Sequence, residues 1–244
     1  MKIFRAVFAI YCIIAFCTTF IFVIPCYFII FNLWPKEKAP HIAHKLSKFW
    51  AHLIFTLFLI RCRIENKSYI DPNTKYVFVA NHLSMLDIPA YATSCSNTFR
   101  FLSKAELAKI PLLGYVIKNL YITVNRSDRS DRHKSIEKMK ATIDSGISVF
   151  LAPEGTRNIT EAPLLNFKPG AFRLAIAAQV PIAVLTLKNA HHLHSPKQLL
   201  SMSPGTLHGS WSRPISTVGM TEEDVPRLKD LVRAEMLKYL QGTI

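Results

Sequence analysis

A long uncharged stretch at the amino terminus restricts how the first part of the chain can fold. No charged residue occurs from Ala6 to Pro35, a run longer than the ~20 residues that cross a hydrocarbon core. The apolar core of a cleaved signal peptide is shorter, about 7 to 15 residues, so a retained membrane element is predicted. A second apolar stretch, Phe49 to Ile60, is too short to span and is typical of an interfacial helix.

Basic residues flank the uncharged stretch on both sides, so the positive-inside rule gives no direction of crossing. The flanking cations before and after it are Lys2, Arg5, Lys36, Lys38, Lys45 and Lys48. This arrangement favours two helices that dip into the cytoplasmic leaflet, with a single transmembrane span as the close alternative. Residues 1–60 are therefore assigned to membrane-associated helices and residues 61–244 to a globular domain.

The charge balance indicates which kinds of partner the chain attracts. Thirty Lys and Arg residues against 16 Asp and Glu residues give a net charge of +14, which suits nucleic acid or an anionic membrane surface. The apolar amino terminus favours the membrane surface, and no zinc spacing or aromatic-basic recognition motif supports nucleic acid. The five cysteines are odd in number and lie mostly in apolar surroundings, which predicts free thiols.

Strand and helix patterns alternate through the middle of the chain, which predicts an α/β fold with a mostly parallel sheet flanked by helices. Helical spacing occurs from Asp131 to Asp144 and from Gly170 to Gln179, and a last helix begins at Thr221 with an acidic residue three places on. The β-rich segments are Tyr76–Ala80, Phe99–Leu102, Tyr121–Val124, Ser148–Ala152 and Pro181–Leu187.

A histidine and an aspartate follow the first of these strands. A neutral imidazole can take a proton from an alcohol when a carboxylate on its other ring nitrogen fixes the tautomer. His82 and Asp87 supply this pair, but residues five apart on a regular helix point away from each other. Since Pro89 prefers the first turn of a helix, the pair is predicted to lie at a strand-to-helix corner. The competing interpretation, a capping box from Ser84 to Asp87, is weakened by that proline.

A second polar block follows the strand Ser148–Ala152, at the end of a strand where ligands of open α/β sheets bind. Arg157 offers a planar fork for a phosphate, Gly155 allows close backbone approach, and Thr156 adds a hydroxyl and an amide donor. Glu154 is expected to brace Arg157 or a nearby lysine, or to contact glycerol, rather than touch the anion.

Taken together, these blocks resemble the glycerolipid acyltransferase family, specifically the bacterial 1-acyl-sn-glycerol-3-phosphate (lysophosphatidic acid) acyltransferases. The resemblance spans residues 76–187. It implies that His82 and Asp87 form the catalytic dyad. It further implies a substrate phosphate site drawn from Lys104, Arg126, Glu154, Gly155, Thr156 and Arg157.

Two further segments match motifs of the family, and a third segment differs from the usual motif. Lys104 begins the family's lysine-bearing segment, and Val180–Ile182 resembles its fourth motif. Arg126 stands where the second motif ends in arginine, although Leu120 and Thr123 replace the glycine and aromatic residue usual there.

The resemblance implies transfer of a fatty acyl group from acyl carrier protein or coenzyme A to the sn-2 hydroxyl of lysophosphatidic acid, with no cofactor and no metal. It also implies a bacterial inner-membrane enzyme whose active site lies at the cytoplasmic face. Alternatives are another lysolipid acceptor such as a lyso-ornithine lipid, a lysophospholipid hydrolase, and a non-catalytic membrane scaffold. Ser84 is not expected to act as a nucleophile, because the acceptor alcohol supplies the attacking oxygen. The histidines at 191, 192 and 194 are interpreted as a polar loop rather than a metal site.

Overall fold

A computed structural model of the chain describes residues 2–125 and 128–242. The helices are α1 (Lys2–Leu33), α2 (Ala39–Leu57), α3 (Asp87–Ser94), α4 (Leu113–Leu120), α5 (Arg129–Asp144), α6 (Gly170–Ala178), α7 (Ala190–Leu193) and α8 (Val225–Leu240). The strands are β1 (Ile60–Glu65), β2 (Val77–Ala80), β3 (Phe99–Lys104), β4 (Ile122–Val124), β5 (Ser148–Leu151), β6 (Ile182–Leu187) and β7 (Gly205–Trp211).

The strands form one sheet in the order β1-β7-β6-β2-β5-β3-β4. Every neighbouring pair is parallel except β6 and β7, so the predicted α/β fold with a mostly parallel sheet is confirmed. The five predicted strands are all present, and β1 and β7 extend the sheet on the β6 side. The carboxyl ends of the five parallel strands therefore meet at one edge, where both polar blocks lie.

Helices cover both faces of the sheet. Strand β2 is buried on both faces of the sheet. On one face Phe78 packs into a hydrophobic cluster with Phe150 and Trp211, and on the other face Val77 and Val79 pack into a second cluster. The second cluster is closed by α8, which follows the predicted cap: the Thr221 and Asp224 side chains form a capping box. Its buried stripe is Val225, Leu228, Val232 and Met236.

Helix α1 is long and apolar enough, by length and composition, to cross a membrane. Its buried residues form a narrow stripe that includes Ala9, Cys12 and Tyr27, while large apolar side chains such as Ile3 and Phe22 are 82% and 73% exposed. A surface this apolar is stable only against lipid or another apolar partner, which makes α1 a candidate membrane element.

Helix α2 is amphipathic, and its apolar side packs against the protein. The predicted interfacial stretch, Phe49 to Ile60, contains Ile54 and Phe55, which are buried in the same cluster as Phe78. Phe49 and Leu59 are its exposed large apolar residues, at 66% and 63%. Most of this stretch is thus explained by core packing rather than by contact with an interface.

A buried histidine anchors α2 to the sheet. The ring of His44 is 4.5 Å from the ring of Phe99, edge to face, and Nε2 has no hydrogen-bond partner among the described residues. Burial lowers the pKa of His44 from 6.5 to about 4, and the positive charge of Lys48 adds to the effect.

We predict that this histidine makes the stability of the chain pH-dependent. The unfolded chain takes up a proton at His44 near pH 6.5, whereas the folded chain resists it down to about pH 4. Stability is therefore lost as the pH falls through this window, by about 3 kcal/mol once both states are protonated. Thermal unfolding in detergent at several pH values should show a shallower acid decline for His44→Phe than for the parent. Lys45→Gln, on the exposed side of α2, is the control, and an acid decline in His44→Phe equal to that of the parent would contradict the prediction.

Candidate active site

Asn81 fixes the place at which β2 ends and the histidine loop begins. Its side chain is fully buried, donates to the carbonyl of Leu187 at 2.8 Å and accepts from the Leu187 amide at 2.8 Å. The carboxyl ends of β2 and β6 are thereby clasped together. The Tyr91 hydroxyl of α3 donates to the Asn81 carbonyl, so the backbone preceding His82 is held on both sides.

The predicted contact between His82 and Asp87 is present. Nδ1 of His82 lies 2.8 Å from Oδ2 of Asp87. The same oxygen accepts the amides of Leu83 at 2.6 Å and Ser84 at 2.8 Å. Helix α3 starts at Asp87 with Pro89 in its first turn, so the pair lies at a strand-to-helix corner as predicted, and the carboxylate ties the corner together.

This geometry determines which nitrogen of His82 can act as a base. An ionised carboxylate only accepts hydrogen bonds, so Nδ1 carries the proton and Nε2 keeps its lone pair. The His82 side chain is 21% exposed whereas that of Asp87 is fully buried. The imidazole therefore offers a basic nitrogen at the sheet edge while its partner is shielded from water.

The sequence predicts that Glu154 braces Arg157 or a lysine. In the structure Glu154 instead accepts hydrogen bonds from the backbone of the site. It is 3% exposed, and its two oxygens accept the amides of His82 at 3.0 Å and Leu165 at 2.8 Å. Burial raises the pKa of Glu154, and these two hydrogen bonds partly oppose the rise. Because both oxygens accept backbone amides, the assignment of Glu154 to a phosphate site is corrected: two part-buried amides need this acceptor.

Two of the predicted cationic residues, Lys104 and Arg157, follow neighbouring strands of the sheet, β3 and β5. Lys104 is the last residue of β3 and is exposed. Arg157 is partly exposed, and no acidic side chain among residues 2–125 and 128–242 forms a salt bridge with it. Thr156 is exposed, and Gly155 adopts a φ of +74°, which favours glycine. Arg126 lies outside the described residues.

Lys168 lies next to the turn that contains Gly155. The sequence motifs did not assign this lysine to the site. Its amide donates to the Pro153 carbonyl at 2.7 Å, and a Cβ at Gly155 would lie 3.5 Å from its Cγ. The exposed Lys168 ammonium thus belongs to the same cationic edge. Lys168 lies within residues 76–187, which carry the family resemblance, but sequence spacing could not show that it folds back onto the turn.

His194 is a second residue that sequence reasoning missed, because it was interpreted as part of a polar loop. It is 7% exposed, its Nδ1 lies 3.0 Å from the Ser84 hydroxyl, and its carbonyl accepts from that hydroxyl at 3.1 Å. Ser84 is fully buried, so its hydroxyl is used to hold the loop. His191 and His192 stand on α7 with ring centres 3.9 Å apart. Within the described ranges no three His, Cys, Asp or Glu side chains gather as a metal site.

The chain is similar to known acyltransferases. A family model described as Acyltransferase matches residues 61–188. An uncharacterised acyltransferase of Schizosaccharomyces pombe is 33% identical over 183 residues, which cover 73% of this chain and 65% of that protein. The 1-acyl-sn-glycerol-3-phosphate acyltransferase alpha of Mus musculus is 32% identical over 183 residues, covering 74% of this chain and 64% of that one. The chain thus spans less than two thirds of the length of these curated relatives.

One solved structure has the same fold along the whole chain. The crystal structure of the 1-acyl-sn-glycerophosphate acyltransferase PlsC from Thermotoga maritima superposes with a TM-score of 0.83. It is 24% identical and covers 100% of this chain and 98% of that chain. At this identity the likeness bears on the fold alone.

The Glu154 brace leads to a prediction about stability. Glu154→Ala leaves the part-buried amides of His82 and Leu165 without their acceptor, so we expect a loss of about 1 to 3 kcal/mol in the free energy of unfolding. Glu161→Ala, in the exposed loop that follows, should change it by no more than about 0.5 kcal/mol. Denaturant unfolding followed by tryptophan fluorescence measures both. Equal stability of the two variants would contradict the role assigned to Glu154.

Proposed function

This chain belongs to the acyltransferase family, and from that premise we propose that it transfers a fatty acyl group to the sn-2 hydroxyl of 1-acyl-sn-glycerol-3-phosphate. The observation that carries the proposal is the 2.8 Å contact between the Nδ1 atom of His82 and the buried Asp87 carboxylate. It leaves a basic nitrogen partly exposed at an edge that also carries Lys104, Arg157 and Lys168. The names of the curated relatives support the choice of acceptor.

The acceptor binds through its phosphate. Arg157 offers two parallel hydrogen bonds to phosphate oxygens, and Lys104 adds a point charge. Lys168 adds a further charge, and the turn at Gly155 and Thr156 adds backbone and hydroxyl donors. The family resemblance adds Arg126 to this site. Anchoring the phosphate here orients the lysolipid so that its free hydroxyl approaches Nε2 of His82.

The reaction is a direct acyl transfer with no covalent enzyme intermediate. Nε2 of His82 takes the hydroxyl proton as the oxygen attacks the thioester carbon, and Asp87 stabilises the imidazolium that forms. Collapse of the tetrahedral intermediate breaks the carbon–sulfur bond, and the thiolate leaves with the proton returned by His82. The products are phosphatidic acid and the free thiol of coenzyme A or of acyl carrier protein.

We also propose that the enzyme works at a membrane surface. The exposed apolar side of α1 and the net charge of +14 suit an anionic bilayer. Both the acceptor and the product are amphiphiles that reside there. Attachment to the bacterial inner membrane, with the site at the cytoplasmic face, is part of this proposal.

Substitution of the proposed base tests the mechanism. In detergent with lysophosphatidic acid and a labelled acyl thioester, His82→Ala should lower kcat by about 10²-fold or more, because a positioned general base contributes about 10² to 10⁴. His52→Ala, an exposed histidine on α2, is the matched control and should keep parental turnover. Undiminished turnover in His82→Ala would exclude this histidine as the base. Release of free fatty acid without phosphatidic acid would identify a hydrolase.

Substitution of Arg157 tests the acceptor site separately. Arg157→Ala should raise the KM for lysophosphatidic acid about tenfold or more, with a smaller change in kcat, because it removes charge-assisted contacts made in the ground state. Arg227→Ala, on the exposed side of α8, is the control. An unchanged KM, or full activity with an acceptor that lacks a phosphate, would refute the phosphate site.

A further inference from the structure

A groove with basic and imidazole side chains opens beside the histidine loop, on the side of β6. We call it the lysine–histidine groove. It has a volume of about 580 Å³. Its walls are the 158–163 segment, the end of β6, helix α7 with the loop that follows it, and the start of β7. The side chains that matter for its chemistry are Lys188, Lys197, His191, His192 and His208.

One wall of this groove adjoins the histidine loop. Leu83, the residue after His82, lines it, and so does Asn158. The amide of Asn158 donates to the His82 carbonyl at 2.7 Å, so the groove wall is hydrogen-bonded to the backbone of the residue that carries the proposed base. The groove thus lies beside the loop that carries His82.

The charge of the groove is available to an anionic ligand. Lys188 and Lys197 are exposed, and within the described part of the chain neither forms a salt bridge. The Lys188 ammonium lies 5.9 Å from the centre of the Tyr239 ring. Glu161 is the acidic residue in the described lining. Burial lowers the pKa of His191, followed by the charge of His192, so the lysines supply the positive charge at neutral pH.

The outer wall of the groove is fixed by a contact from α1. Arg5 donates through Nε to the Ser201 hydroxyl at 3.0 Å and through Nη2 to the His192 carbonyl at 2.9 Å. The Arg5 carbonyl accepts the Met202 amide at 3.3 Å. A wall held on one side by α1, and on the other by the contact between His194 and Ser84, is preformed.

We propose that the lysine–histidine groove binds the 4′-phosphopantetheine arm of the acyl thioester donor, with Lys188 and Lys197 holding its phosphate. The inference rests on the proposed function, because an acyl thioester donor is required only if acyl transfer takes place at His82. Acyl-coenzyme A and acyl carrier protein both carry this arm. The groove offers two lysines for the phosphate and, in Leu83, Ile159 and Leu240, apolar side chains for the carbon skeleton of the arm.

Kinetics with a matched double variant test the assignment. At saturating lysophosphatidic acid, Lys188→Gln/Lys197→Gln should raise the KM for the acyl donor about tenfold, the size expected from losing charge-assisted hydrogen bonds to one phosphate. Its KM for lysophosphatidic acid should stay within about twofold of the parent, the opposite of Arg157→Ala. The control is Lys75→Gln/Lys140→Gln, which removes two exposed lysines outside the groove. A donor KM that is unchanged in the groove variant would overturn the proposal.

Direct binding measurements test the groove assignment independently of the proposed function. Calorimetry with coenzyme A, and with acyl carrier protein in its holo and apo forms, needs no turnover and uses the full chain in detergent. We expect both coenzyme A and holo carrier protein to bind the parent and to bind the groove variant about tenfold more weakly. If the parent transfers no acyl group but shows this pattern, the proposed function fails and the groove assignment stands.

The same measurements distinguish the shared arm from other parts of each donor. A loss confined to coenzyme A would place its nucleotide phosphates in the groove, and equal losses for apo and holo carrier protein would indicate contact with the protein surface. Either result contradicts an assignment to the phosphopantetheine arm.

Discussion

A single buried oxygen organises the site. Oδ2 of Asp87 accepts the imidazole of His82 and the amides of Leu83 and Ser84, so the same atom fixes the tautomer of the base and the shape of the loop that carries it. Ionic acceptors form stronger hydrogen bonds than neutral ones, and burial keeps water from competing. The side chain of Asn81, bonded to β6, and the carboxylate of Glu154, bonded to the His82 amide, fix the backbone of this loop to the sheet.

Positive side chains follow the strands on both sides of β2, the strand that leads to His82. Lys104 ends β3 and Arg157 follows β5, whereas Lys188 follows β6, and β2 lies between β5 and β6 in the sheet. The proposed transfer joins two molecules that each carry a phosphate, and this strand order offers cations to both near one imidazole. The fold makes this arrangement available because parallel strands deliver their following loops to one edge.

Much of this could be predicted from the sequence, since the relevant signals are local. The alternation that identifies β2, β3, β5 and β6 and the proline that starts α3 are short-range patterns, and they led to the corner where His82 meets Asp87. The features that were missed depend on residues distant in the chain. Strand β7 pairs with β1 across more than half the sequence, His194 reaches Ser84 from 110 positions away, and the amide that Glu154 accepts belongs to a loop 72 positions earlier. Sequence periodicity gives the face on which a residue lies, but it does not give these partners.

The shared packing of α1 with the sheet has a consequence for how the molecule is assembled. Ala9 and Cys12 of α1 belong to the same hydrophobic cluster as Phe78 and Trp211, so the candidate membrane helix also completes the interior of the domain that carries the proposed site. Truncation before β1 would remove the apolar cover from one face of the sheet. The candidate membrane helix and the sheet therefore form one cooperative unit, and solubilisation in detergent has to leave their contact intact.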